Sequence, residues 1–319
     1  MNDQLNNPFF ASRYSEIKFF TALTVILSLL LIVSAIFGWR VERGDNSVPS
    51  KTAYTSFLEV NLQAEAIYVY DIRTKTVLFA KNENVRLPLA SLTKIMSALV
   101  AEDLSPLYNT VTITSEALQA DGDNGLYKDE KWLLQDLLDF SLLTSSNDGM
   151  RAIALSLGAL SRAGTTSEQI INDFVGKMNL KAGELGLKNT YFWNETGLDE
   201  SEIKGGAYGT ARDVSALLEY ILTHHSDLFS ATRETTLAIE SLDRKAHLVT
   251  NTDSLAGEIP GLLASKTGFT NTAGGNLTIV FDPELGRPII ITVLGSTEKG
   301  RFEDMRTLVN AVMAYINEN

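Results

Sequence analysis

Ser91 and Lys94, in the run Ser91-Leu92-Thr93-Lys94, have the i, i+3 spacing that lays two side chains next to each other on a helix. Their Cβ atoms would then stand roughly 5–6 Å apart. A lysine that close, desolvated and flanked by other positive charge, loses its proton near neutral pH and accepts one from the serine hydroxyl. The helix N-terminus adds partial positive charge that favours an anion developing on the nucleophile. Two more motifs follow, Ser145-Ser146-Asn147 and Lys266-Thr267-Gly268. In the order S-x-x-K, S-x-N, K-T-G they read as one acyl-transfer site that uses serine without histidine. Each motif alone turns up by chance in many chains; order, spacing and local context make the set specific.

The elements that must hold these residues are legible in outline. Pro88 suits the first turn of a helix, where its missing N–H goes unnoticed. From there Leu92, Ile95, Met96, Leu99 and Val100 recur with helical spacing, which predicts a helix with one apolar face. Before it, Ile67–Tyr70 and Val77–Ala80 flank Asp71-Ile72-Arg73-Thr74-Lys75 and predict an antiparallel hairpin. A mainly helical stretch is expected up to about His225, with pieces at Trp132–Leu143, Met150–Leu157, Gln169–Leu185 and Val214–Leu222. Three strands then follow, Leu262–Lys266, Leu277–Phe281 and Ile289–Leu294, and a closing helix runs from Phe302 to Ile316. This order predicts an α+β fold, an antiparallel sheet flanked by helices. No further domain is expected after the closing helix.

Composition removes other chemistries. The 319 residues carry a net charge of −12, which argues against nucleic acid as a partner. There is no cysteine, so disulfides, thiolate metal sites and cysteine nucleophiles are excluded. Of the three histidines, His224 and His225 are adjacent, lack metal-ligand spacing and suit a helix C-terminus, which leaves His247. No metal or cofactor is expected. Residues 19–39 carry no charge over a length that spans a bilayer, and predict a transmembrane anchor. A cleaved signal peptide is the alternative, with Val33-Ser34-Ala35 as its cleavage site. Residues 1–18 then form a cytoplasmic tail, 40–57 a linker and 58–319 the catalytic domain. Arg13 and Lys18 before the span and Arg40, Arg43 and Lys51 after it do not fix its orientation.

Beyond the trio, several segments resemble the serine D-alanyl-D-alanine carboxypeptidases, the low-molecular-mass penicillin-binding proteins. They are Pro88–Lys94, Asn189-Thr190-Tyr191-Phe192 with Asn194 and Gly197-Leu198, Tyr208–Asp213, and Lys266–Thr270 with Ala273-Gly274 and Asn276-Leu277. The resemblance covers roughly residues 62–317. It implies the β-lactamase/transpeptidase-like fold, a five-stranded antiparallel sheet with helices on both faces. It also implies a domain on the outer face of the cell membrane or in the periplasm, acting on peptidoglycan stem peptides and acylated by β-lactam antibiotics. Ser146 departs from the glycine more often found there, and its side chain is not expected to be required.

The resemblance further implies the roles. Ser91 attacks the carbonyl of a D-alanine residue, Lys94 takes its proton, and Ser145 relays a proton to the departing amine. Asn147 fixes the substrate backbone, and Lys266 supplies charge near Ser145 and the substrate carboxylate and helps keep Lys94 neutral. Gly268 lets the strand approach the substrate, and the N–H groups of Ser91 and Phe269 form the oxyanion hole. Arg301, with Thr267, is the expected clamp for a substrate carboxylate. Removal of the terminal D-alanine is the first reading and cutting of peptide crosslinks the alternative. A β-lactamase would need a water-activating glutamate. Glu184 is the nearest match, but Lys188 stands where an asparagine belongs and Gly186 suits a helix end. A non-catalytic β-lactam sensor would be expected to lose the nucleophile or its lysine, and both are present.

Overall fold

The computed structural model describes residues 56–57, 60–122, 125–158 and 166–318. They lie in a compact unit that runs from Pro49 to Asn319. The chain opens with β1 (Ala66–Asp71) and β2 (Thr76–Lys81), then a two-residue strand, β3 (Leu87–Pro88), and a 3-10 turn at Ala90–Leu92 that leads into α1 (Thr93–Leu104). The helical part continues through β4 (Thr110–Thr112), β5 (Lys131–Leu133), α2 (Leu134–Thr144), α3 (Asn147–Gly158) and α4 (Ser167–Glu184). Next come β6 (Tyr191–Phe192), β7 (Ala207–Gly209), α5 (Ala211–His224), β8 (Thr236–Glu240) and β9 (Ala246–Thr250). The chain returns to the main sheet with β10 (Leu262–Thr270), β11 (Gly274–Phe281) and β12 (Ile289–Ser296), and α6 (Gly300–Glu318) closes it.

The main sheet has the order β10-β11-β12-β1-β2, with antiparallel neighbours throughout. Its strands are apolar on both faces because both are covered, and the two-residue side-chain period divides them. Ile67, Val69, Ile279, Ile291 and Val293 pack with Met305, Leu308 and Val312 of α6. Ala66, Tyr68, Val280, Ile290 and Leu294 pack in the second core with α5 and the helical part. Phe57, expected as the last linker residue, is buried and stacks on Phe79.

Four local expectations are corrected. Pro88 lies in β3, paired with Tyr208 of β7, and its carbonyl accepts the Asn276 side-chain amide at 3.0 Å, so the helix starts later, at Thr93. An extended residue at an edge needs no proline N–H, which is why Pro88 fits there. The helix α1 has no solvent face over most of its length: every residue from Thr93 to Ala101 is buried. Its polar members survive burial by bonding, as Ser97 Oγ does in donating to the Glu195 carbonyl at 2.6 Å. Trp132 belongs to β5, and α2 begins two residues later. The hairpin β8–β9 has no counterpart among the expected strands, because its inward-facing residues are only partly apolar.

The helix-end readings hold. The helix α5 ends at His224, which is exposed and stacks on Tyr220. Gly186 follows α4 at φ +70°, and the Leu187 N–H returns to the Ala182 carbonyl at 2.9 Å. Glu184 therefore ends a helix, exposed and paired with Lys181 at 3.5 Å. Among the described residues no helix is long and apolar enough to cross a membrane; the span expected at residues 19–39 lies outside them.

Candidate active site

The three motifs meet where the start of α1, the α2–α3 turn and β10 come together. Ser91 sits in the 3-10 turn that leads into α1, so Lys94 lies one turn further on and the expected pairing forms: Lys94 Nζ donates to Ser91 Oγ at 2.8 Å. Lys94 also donates to Asn147 Oδ1 at 2.7 Å and to the Thr196 carbonyl at 2.9 Å. The lysine is wholly buried, and burial pulls its pKa down from 10.5 to about 7, with the Glu195 carboxylate opposing. The flanking positive charge expected to keep Lys94 neutral is thus not what lowers it; loss of water is. Lys266 is equally buried, and burial, Lys94 and Arg301 in that order push it well below its ordinary value. The Lys94 charge thus opposes the charging of Lys266.

Two residues at this centre adopt left-handed backbone, a costly state for residues other than glycine. Ala90, immediately before the nucleophile, has φ +48°, and Ser145 has φ +60° as the C-cap of α2. The surroundings hold both. At Ser145 the chain turns between two helices, and the Ser146 N–H returns to the Ser141 carbonyl at 3.0 Å. Ser146 is not a passive middle residue. Its hydroxyl is buried and accepts the Gly149 N–H at 3.0 Å, which caps α3 and fixes Asn147 at the start of that helix. The Ser145 hydroxyl makes no hydrogen bond among the described residues, which leaves it available to a substrate.

At Ala90 the key neighbour is Gly197, at φ +82°. A Cβ there would stand 1.8 Å from the Ala90 carbonyl oxygen, so only glycine lets this loop pack beneath the nucleophile turn. Gly197→Ala therefore combines backbone strain with a backbone collision, and is expected to cost roughly 3–5 kcal/mol. Thermal unfolding should show a midpoint about 10 °C lower. A midpoint unchanged within about 2 °C, a shift that corresponds to about 1 kcal/mol or less in a domain of this size, would contradict this packing.

The third motif lies on β10, with Lys266, Thr267 and Gly268 all buried. Gly268 faces the nucleophile turn: a Cβ would come within 3.0 Å of the Leu89 carbonyl and 3.1 Å of the Ser91 nitrogen. The glycine is needed for β10 to approach Ser91 itself, a reason different from the close approach to substrate expected of it. Phe269 follows with its ring exposed. Thr267 Oγ1 donates to Thr252 Oγ1 at 2.7 Å, and Arg301 Nη1 donates to the Gly268 carbonyl at 2.8 Å. Arg301 is largely buried in the first turn of α6, and its Nε has no partner among the described residues. Asn147 spans the site, since its Nδ2 donates to the Asp121 carbonyl at 2.6 Å while its Oδ1 holds Lys94. Both ends of this amide are thus engaged within the protein, beyond the substrate contact expected of it.

Several residues that shape the site carried no signal for their roles. The carbonyls of Thr196 and Asp121 are main-chain groups, invisible to residue type. Asn276 joins the sheet to the nucleophile segment by donating to the Pro88 carbonyl and accepting the Gly295 N–H at 2.8 Å. Asp253 is a buried carboxylate raised by burial, with Arg301 and Lys266 among the groups that hold it down.

This fold and centre match known proteins. Residues 50–298 match the model of the D-alanyl-D-alanine carboxypeptidase family, peptidase family S11. The chain belongs to that family. It is 34% identical over 285 residues to D-alanyl-D-alanine carboxypeptidase DacF of Bacillus subtilis, covering 87% of this chain and 67% of that one. It is also 29% identical over 253 residues to a D-alanyl-D-alanine endopeptidase of Pseudomonas aeruginosa, covering 77% and 76%. Among solved structures, the Streptomyces K15 DD-transpeptidase superposes with a TM-score of 0.71 at 26% identity, over 80% of this chain and 98% of that one. Penicillin-binding protein D2 of Listeria monocytogenes, in its ampicillin-bound form, gives 0.66 at 27% identity, over 79% and 98%. The fold is the α+β penicillin-binding-protein fold, as expected.

Proposed function

We propose that this chain is a membrane-anchored, extracytoplasmic serine DD-peptidase that removes the terminal D-alanine from peptidoglycan stem peptides. The observation that carries the reading is the buried Lys94 amine, 2.8 Å from Ser91 Oγ and depressed to about 7, a base ready to take the serine proton. Ser91 Oγ bonds to the carbonyl carbon of the penultimate D-alanine as its proton passes to Lys94. The tetrahedral oxyanion lies between the N–H groups of Ser91 and Phe269. The C–N bond then breaks as Ser145 passes its proton to the leaving amine and takes the one held by Lys94, which returns to the neutral form. Water adds to the ester carbonyl and gives a proton to Lys94; the bond to Ser91 Oγ then breaks, Lys94 returns the proton to that oxygen, and the shortened peptide leaves. β-Lactams enter the same first step and remain as the acyl group.

Lys266, Thr267 and Arg301 would hold the substrate carboxylate. Arg301 keeps the β10 backbone in place through one guanidinium nitrogen, and its unpartnered Nε leaves donor capacity for an anion. Residues 19–39 supply the anchor in this reading, on the strength of their length and apolarity. The second reading, cleavage of crosslinks, is favoured by the relative named an endopeptidase. Digestion of purified monomeric and crosslinked muropeptides by the full chain separates the two. Release of D-alanine from monomeric pentapeptides is the expected result, and cleaved crosslinks beside intact pentapeptides would overturn it.

A further inference from the structure

Lys94 gains a proton when Ser91 attacks, and it must carry that charge where it is wholly buried. Its three bonding partners, Ser91 Oγ, Asn147 Oδ1 and the Thr196 carbonyl, have no formal charge to offer. A neighbouring anion is worth most in such a place, because a low-dielectric interior screens it least. The charged side chains that bear on Lys94 or on its neighbours come from three elements. Lys266 comes from β10, Arg151 from α3, and Glu195 from the loop that follows β6. Of these, Glu195 alone is negative.

Glu195 is wholly buried, and three bonds fix it beside the base. Ser97, three residues after Lys94 in α1, donates to the Glu195 carbonyl at 2.6 Å. Thr196, the next residue, accepts from Lys94 itself at 2.9 Å. Arg151 Nε pairs with Glu195 Oε1 at 3.0 Å. The other carboxylate oxygen, Oε2, has no hydrogen-bond partner among the described residues, so the charge is only partly engaged. Its field reaches Lys94 and favours the charged amine. Stability alone is a poor reason for such a pair, since an apolar pair of similar volume is often as stable.

Resting on the DD-peptidase reading, we propose that Glu195, held by Arg151, is a positioning residue for the general base: its carboxylate stabilises the ammonium that forms on Lys94 as Ser91 attacks. Ser91, Lys94 and Glu195 then serve in turn as nucleophile, base and support for the base. The proton stops at Lys94, and Glu195 stays ionised and touches no substrate. The same support acts again when water gives its proton to Lys94 during release of the acyl group. Lys94 is thereby a stronger base than burial alone would leave it, which suits proton transfer near neutral pH.

The test follows single-turnover acylation by penicillin against pH, in the full chain and in its Glu195→Gln variant. The penicillin carboxylate stays ionised throughout the range that matters. The amide oxygen introduced by Glu195→Gln can still accept from Arg151 Nε, and the Ser97 and Lys94 bonds go to main-chain carbonyls, so the loop keeps its geometry. Without the negative charge the ammonium is disfavoured. The acid limb of the profile should therefore move to lower pH by roughly one unit, the scale set by an opposite charge nearby. The level above the limb should fall by up to about tenfold, because a weaker base assists the attack less. Should Glu195→Gln fail to fold, combining it with Arg151→Gln strands no charge and carries the same expected shift of the limb. A limb that stays in place or moves up in a folded variant overturns the proposal. That includes a rate lowered equally at every pH, which is the mark of structural damage alone. Failure of the parent chain to label with penicillin overturns the DD-peptidase reading, and this role with it.

Discussion

Ser91→Ala is expected to abolish covalent labelling by penicillin and to lower D-alanine release by about 10⁴-fold or more, the usual consequence of deleting a covalent nucleophile. The fold should hold. The hydroxyl is small, and Lys94 keeps two of its three acceptors, Asn147 Oδ1 and the Thr196 carbonyl. Labelling and thermal unfolding of the same preparation check this together. A folded variant that still reacts with penicillin would move the nucleophile elsewhere.

Lys94→Met should be nearly as damaging, because the general base is lost and the serine must ionise unaided. A fall of roughly 10²–10⁴-fold in acylation is the expected scale. The pH profile adds a test that bulk damage to the site would not mimic. Burial brings Lys94 from 10.5 to about 7, so the neutral, proton-accepting form dominates only above that value. Acylation by the parent chain should therefore climb tenfold per pH unit on the acid side and level off above about pH 7. In Lys94→Met that limb should disappear. A variant retaining the same limb would show that another group titrates.

The parts of this site that sequence made legible are those set by short-range spacing. Ser91 and Lys94 needed only helical geometry to meet, and their meeting at 2.8 Å follows from it. The long apolar strands and α6 were equally plain, since their periods persist over many residues. What stayed hidden depends on contacts between distant segments. Pro88 reads as a helix start until β7 and Asn276 claim its backbone. The left-handed turn at Ala90 is set by Gly197, which lies on another loop. The depressed Lys94 is a product of complete burial, which no local pattern around it reveals, and the same holds for Glu195 with its partner Arg151. Ser146 reads as a dispensable middle residue, because its cap on α3 forms only where the chain reverses between α2 and α3.

In the proposed reaction D-alanine release passes through an ester on Ser91. Acid quenching of the full chain during turnover of a D-alanyl-D-alanine peptide, followed by peptide mapping, tests it directly. The acyl mass should appear on the fragment holding Ser91 and be absent from Ser91→Ala. An acyl group on any other residue, or continued D-alanine release by Ser91→Ala with no adduct formed, would contradict it.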